Sequence, residues 1–222
     1  MAIQKLVKGI HSFQTGFFAR NRDLFQELAT HGQRPSTLFL TCSDSRILPN
    51  HLTGAGPGEL FIVRNVGNVI PRTDLVGGTA AAIEYGVEVL EVDHIVVCGH
   101  TQCGAIDAIL DPARIESLSY VKRWLTQTQR VREIIADRYA DLPRESQRMA
   151  AVEENVLLQL ENLRDYGFVQ RRLDAGKLDI SGWVFDVETG KVFDYDPSQC
   201  EFLPLAASAG EEEEEEEEEA DT

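Results

Sequence analysis

Cys42 opens the run Cys42-Ser43-Asp44-Ser45-Arg46, and far downstream stands His100-Thr101-Gln102-Cys103. Two thiols and one imidazole are the donor set of an open zinc site, in which three protein ligands leave the fourth position to water. Asp44 lies two residues after the first cysteine and two before Arg46, whose guanidinium never deprotonates and can hold the carboxylate ionised beside the metal. Two thiolates and a neutral imidazole leave the centre without net charge. Bound water is then acidified less than in a three-histidine site, yet hydroxide comes within reach near neutral to alkaline pH. Such a nucleophile suits a small electrophile. Asp44, with no proton to donate, requires that the oxygen beside it be the hydrogen-bond donor.

The elements around these residues must bring them together. Thr37-Leu38-Phe39-Leu40-Thr41 is an apolar run ending at Cys42, residues 59–64 form a second run, and His94-Ile95-Val96-Val97-Cys98-Gly99-His100 is the clearest strand signal in the chain. Continuous apolar runs alternating with helical stretches, such as 78–89, predict a parallel sheet covered on both faces. Ligands in open α/β sheets gather at the carboxyl ends of strands, where Cys42 and His100 both fall. Helices are expected over about 117–139 and 144–163, and residues 180–186 and 191–195 read as a final hairpin through Glu188-Thr189-Gly190. The fold class expected is therefore α/β, with a central, mostly parallel sheet of four strands plus a C-terminal antiparallel strand, flanked by helices.

Leu6, Ile10, Phe13, Phe17, Leu24, Phe25 and Leu28 recur at helical spacing with breaks near Gly16 and Asn21. They read as two amphipathic helices forming an arm over residues 1–36 that needs a surface to cover. Residues 37–205 then form the zinc-binding α/β domain. Residues 206–222 read as a disordered acidic tail, since a single-sign run repels itself and has nothing to bury. Of the formal charge of −16, Glu211 to Glu219 and Asp221 supply ten acids, which leaves −6 for the rest. That balance argues against nucleic-acid binding. No apolar run reaches the length of a membrane span, and the opening residues lack a signal peptide's apolar core. Four scattered cysteines do not make a disulfide scaffold, so a reducing cytoplasm is expected. Cys98 reads as a core residue and Cys200 as a surface residue. His11, His31, His51 and His94 lack ligand spacing, and Arg64 reads as a structural ion-pair partner.

At Cys-x-Asp-x-Arg followed by His-x-x-Cys the chain resembles the β-class carbonic anhydrases, over nearly its whole length and most closely their plant and cyanobacterial branch. The resemblance implies one zinc per chain on Cys42, His100 and Cys103, with Asp44 and Arg46 as the orienting dyad. It implies a carbon dioxide pocket walled by Phe61, Val66 and Tyr85, with Gly104 just after the last ligand. Gln33, nine residues before Cys42, would donate a hydrogen bond to a substrate oxygen across a dimer interface. The activity implied is reversible hydration of carbon dioxide to bicarbonate and a proton, by a homodimer or higher homo-oligomer. Its location would be cytoplasmic or carboxysomal, with a carboxysome scaffold protein as candidate partner. Gln33, and Phe39 where a bicarbonate-switched type carries Trp, imply the constitutively open type. Two other readings remain: a carbon disulfide or carbonyl sulfide hydrolase on the same fold, and a carboxysome assembly component.

Overall fold

The computed structural model describes residues 2–205; the acidic segment 206–222 lies outside the described residues. Six strands form one sheet in the order β2-β1-β3-β4-β5-β6: β1 (Thr37–Cys42), β2 (Leu60–Asn65), β3 (His94–His100), β4 (Asp179–Phe185), β5 (Val192–Asp196) and β6 (Glu201–Pro204). The first four are parallel, and β4, β5 and β6 pair antiparallel. Four parallel strands and the β4–β5 hairpin match the sequence expectation. The sixth strand does not, because Glu201-Phe202-Leu203-Pro204 is short, ends in proline and has β5 as its one neighbour.

The two faces of the sheet are unequally filled. Leu38, Leu40, Val63, Ile95 and Val97 point into the main core. Over it lie α5 (Gly78–Glu84, continued by a π turn at Tyr85–Val89), α6 (Gly104–Leu110), α8 (Gln129–Arg138), α9 (Arg144–Arg164) and α10 (Gly167–Asp174). The opposite face holds a smaller apolar cluster, Phe39, Val96 and Cys98, packed against Trp183, Phe185 and Leu52 of α4 (Pro49–Thr53). Coverage of both faces by the chain's own helices, expected from the apolar strands, is thus incomplete on this side.

Helix α9 approaches the sheet closely because two strand positions carry no side chain. A Cβ built on Gly99 would stand 2.7 Å from Val156 Cγ2, and one on Gly182 2.8 Å from Leu160 Cδ1. The expected helix over 117–139 is divided into α7 (Ser119–Leu125) and α8 by a 3-10 turn at Thr126–Thr128. The amino-terminal stretch makes three segments rather than two, α1 (Ala2–Thr15), α2 (Phe17–Arg20) and α3 (Arg22–His31), broken at Gly16 and Asn21. Ile3, Leu6, Val7, Ile10, Phe13 and Phe17 remain exposed along it. Among the described residues no helix is long and apolar enough to cross a membrane.

Candidate metal centre

Cys42 is the last residue of β1 and His100 the last of β3, and these strands are parallel neighbours, so both side chains leave the sheet at its carboxyl end. The chain then turns through Gln102, held at φ 57°, and Cys103 becomes the N-cap of α6. The three donor atoms lie within 4.8 Å of one another, with the two Sγ atoms 4.0 Å apart. All three residues are buried.

Protonation in this cluster follows from its contacts. His100 Nδ1 stands 2.8 Å from the Thr101 carbonyl, which can only accept, so Nδ1 carries the hydrogen and Nε2 the lone pair. Nε2 is buried with no hydrogen-bond partner among the described residues. A buried imidazole lone pair aimed at two thiols is costly unless a ligand takes it. The Cys42 thiol is lowered to about 4, first by the hydrogen bond from Cys103, with further help from the backbone amides of Gly67 and Asp44. The same bond, together with burial, pushes Cys103 up. One proton shared between two sulfurs is the arrangement a divalent cation displaces. The donor set of two thiolates and one neutral imidazole fits zinc, with a position left open.

Asp44 sits at the rim of this cluster, its Oδ2 4.0 Å from His100 Nε2. Arg46 grips it with Nε to Oδ1 at 2.9 Å, Nη2 to Oδ2 at 2.8 Å and the backbone N–H to Oδ1 at 3.0 Å. This grip holds the Asp44 carboxyl well below the usual carboxylate range. The guanidinium is fixed in turn by Gln102, whose Oε1 and backbone carbonyl accept from Nη1 and Nη2 at 3.2 and 3.1 Å. Arg64 corrects the expectation of an ion pair. Its Nε donates to the Cys42 carbonyl at 3.1 Å and its Nη2 to the Asp44 carbonyl at 2.6 Å, bracing the turn that carries both residues. Neither Gln102 nor Arg64 carried a sequence signal for these roles, since their partners are backbone or distant in the chain.

Of the pocket positions, Val66 and Gly104 lie at the cluster. Gly104 follows Cys103 directly, and Val66 precedes Gly67, whose N–H donates to Cys42 Sγ at 3.5 Å. Phe61 lies elsewhere, opposite Leu38 in register and four residues before Asn65, the partner of Cys42. That is about 13 Å along the strand. Its ring packs against Tyr85, with centroids 6.0 Å apart. Gln33 is exposed in the segment entering the amino end of β1.

The carbonic anhydrase family model matches residues 37–192. The chain belongs to the β class of carbonic anhydrases. It is 44% identical over 192 residues to a carbonic anhydrase of Synechococcus elongatus, a match covering 86% of this chain and 70% of that one. Among solved structures it is similar to the β-carbonic anhydrase CcaA, with TM-score 0.89, 40% identity and 93% of each chain covered. It is also similar to a structure described with two tetrameric β-carbonic anhydrases of Sordaria macrospora, with TM-score 0.80, 27% identity, and 92% of this chain and 99% of that one covered. This β-carbonic anhydrase is therefore an enzyme of reversible carbon dioxide hydration, in a family of zinc lyases, and Cys42, His100 and Cys103 form a cluster able to hold a metal ion.

Proposed function

We propose that Cys42, His100 and Cys103 hold one zinc ion per chain and that Asp44 and Arg46 orient the reacting groups for carbon dioxide hydration. The observation that carries this reading is the buried, unpartnered Nε2 of His100 facing two thiols. Bound zinc supplies Lewis-acid activation of water. Asp44, ionised and gripped by Arg46, can only accept hydrogen bonds, so it favours a donor at the open position and turns that donor's lone pair toward the substrate. Val66 offers an apolar contact beside the ligands, suited to a small molecule without a dipole.

Gln33, Phe61 and Tyr85 would reach this centre from a second copy. Their separation from Cys42 within one chain supports that reading, as do the exposed apolar stripe of α1 and the partly uncovered sheet face. The smallest complete active unit is then a dimer. A cytoplasmic enzyme of inorganic-carbon supply is the setting this chemistry serves, and a carboxysome scaffold protein is its candidate partner.

Stopped-flow carbon dioxide hydration, with zinc determined on the same sample, tests the assignment. Hydration with one zinc per chain, and loss of both in Cys42→Ser, is the expected result. Full hydration by zinc-free protein would overturn it.

A further inference from the structure

Helix α9 carries three amides where a core helix would carry apolar side chains. Asn155 is 1% exposed, Gln159 0% and Asn162 8%, on the face that also presents Val152, Val156 and Leu163 to the core. Buried amides persist where they are hydrogen-bonded, and each of these bonds both to one segment and to another of the three. Asn155 Nδ2 donates to the Gly67 carbonyl at 3.1 Å. Gln159 Oε1 accepts from the Ile70 N–H at 2.7 Å, and Asn162 Nδ2 donates to the Ile70 carbonyl at 3.0 Å. Gln159 Nε2 donates to Asn155 Oδ1 at 3.0 Å, linking the amides into a ladder. Just past the helix, the Tyr166 hydroxyl donates to the Pro71 carbonyl at 2.7 Å.

The segment so held, residues 66–71, needs holding. Gly67 and Asn68 are consecutive residues at φ 82° and 46°, a conformation that relaxes readily without outside bonds. Gly67 is also wedged in place, since a Cβ there would stand 3.0 Å from Ala105 Cβ. From this position its N–H reaches Cys42 Sγ at 3.5 Å. Hydrogen bonds to a ligating sulfur tune how strongly it binds metal.

We infer that Asn155, Gln159 and Asn162, with Tyr166 at the end of the ladder, are positioning residues of the metal centre: they fix residues 66–71 so that the Gly67 N–H is presented to the Cys42 sulfur. The inference rests on the reading of Cys42, His100 and Cys103 as the metal site. The side-chain hydrogen bonds of the four run to residues 67–71 and to one another, not to Cys42, His100 or Cys103, so they act through Gly67.

The test measures zinc affinity by chelator competition and the thiolate-to-metal absorption of the cobalt-substituted protein, in wild type, Asn155→Ala and Leu160→Ala. Leu160 packs on β4 from the same helix and does not touch residues 66–71 through a hydrogen bond, so it reports general loosening of α9. In Asn155→Ala the zinc dissociation constant should rise about tenfold and the cobalt–thiolate band should shift. Leu160→Ala should lower the melting temperature at least as much while leaving both metal readouts at wild-type values. An unchanged affinity and band in Asn155→Ala overturns the inference, as does an equal change in Leu160→Ala. Should Asn155→Ala fail to fold, Tyr166→Phe, which removes one hydroxyl, decides by the same readouts: a smaller rise in the same direction supports the ladder and wild-type values refute it. A wild type that binds neither metal would overturn the metal-site reading itself, a result distinct from any variant's.

Discussion

Replacing Asp44 by Asn probes the dyad with the least change in shape. The carboxylate accepts three hydrogen bonds from Arg46, two at Oδ1 and one at Oδ2, and Oδ2 is also the oxygen 4.0 Å from His100 Nε2. An amide keeps one acceptor. With its oxygen at the Oδ1 position, its NH2 faces the Arg46 Nη2 and presents a donor to the open metal position; in the opposite orientation it faces the backbone N–H and Nε with a donor. Either way a guanidinium bond is lost, and the first orientation also reverses the polarity that selects a donor oxygen. Groups that manage a proton in a transition state contribute about 10²–10⁴-fold, and an orienting group belongs at the lower end, so kcat/KM should fall about 10²-fold or more. Zinc content should be unchanged, because Asp44 is outside the three-residue cluster.

The pH dependence of that loss is set by the sign of the Asp44 shift. Arg46 depresses the folded-state pKa, so the pair's contribution to stability is present above the unfolded carboxyl value of about 3.9 and is lost only as pH falls through the lower folded value. The ratio of wild-type to variant activity should therefore stay constant from about pH 6 to pH 9, measured by stopped-flow hydration. A variant with full zinc and more than about a third of wild-type kcat/KM would refute the dyad, since that loss is far below the range for a proton-managing group. Zinc lost in step with activity would make Asp44 a residue that holds the site together instead.

Gly99→Ala should destabilise the fold by about 1–3 kcal/mol, read from urea unfolding, because the new methyl meets Val156 Cγ2 at 2.7 Å and Val152 Cγ1 at 3.3 Å. An unchanged midpoint would contradict the close seating of α9 on β3. Thiol alkylation mapped by peptide mass should separate the cysteines. Exposed Cys200 reacts first, Cys42 reacts only after a chelator has removed zinc, and Cys98, buried and pushed up to about 12, resists until the protein unfolds. Labelling of Cys98 in the native enzyme would refute its place in the core.

Much of the scaffold was legible because long apolar runs have few alternatives. Residues 37–41, 59–64 and 94–100 read as strands from their apolar runs, and that placed Cys42 and His100 at the carboxyl ends of strands, although β2 at the sheet's edge buries Val63 alone. Short elements were not legible. Helices α4, α6 and α10 and strand β6 have five, seven, eight and four residues, too few for a periodic signal to stand out.

The sequence by itself named the donor set, two cysteines and one histidine able to hold a metal ion, with an Asp–Arg pair two residues on from the first cysteine. Tertiary structure decided what surrounds them. Only folding shows that Gln102 and Arg64 brace the turn carrying Asp44 and Arg46, that three amides on α9 reach Gly67 and Ile70, and that Phe61, with Tyr85 packed on it, lies about 13 Å down the strand from Asn65, the residue beside Cys42. The physical reason is the nature of the contacts. A ligand set is written in side-chain types, whereas these bonds run mostly to backbone groups that every residue carries, and which backbone group comes within reach is settled by packing.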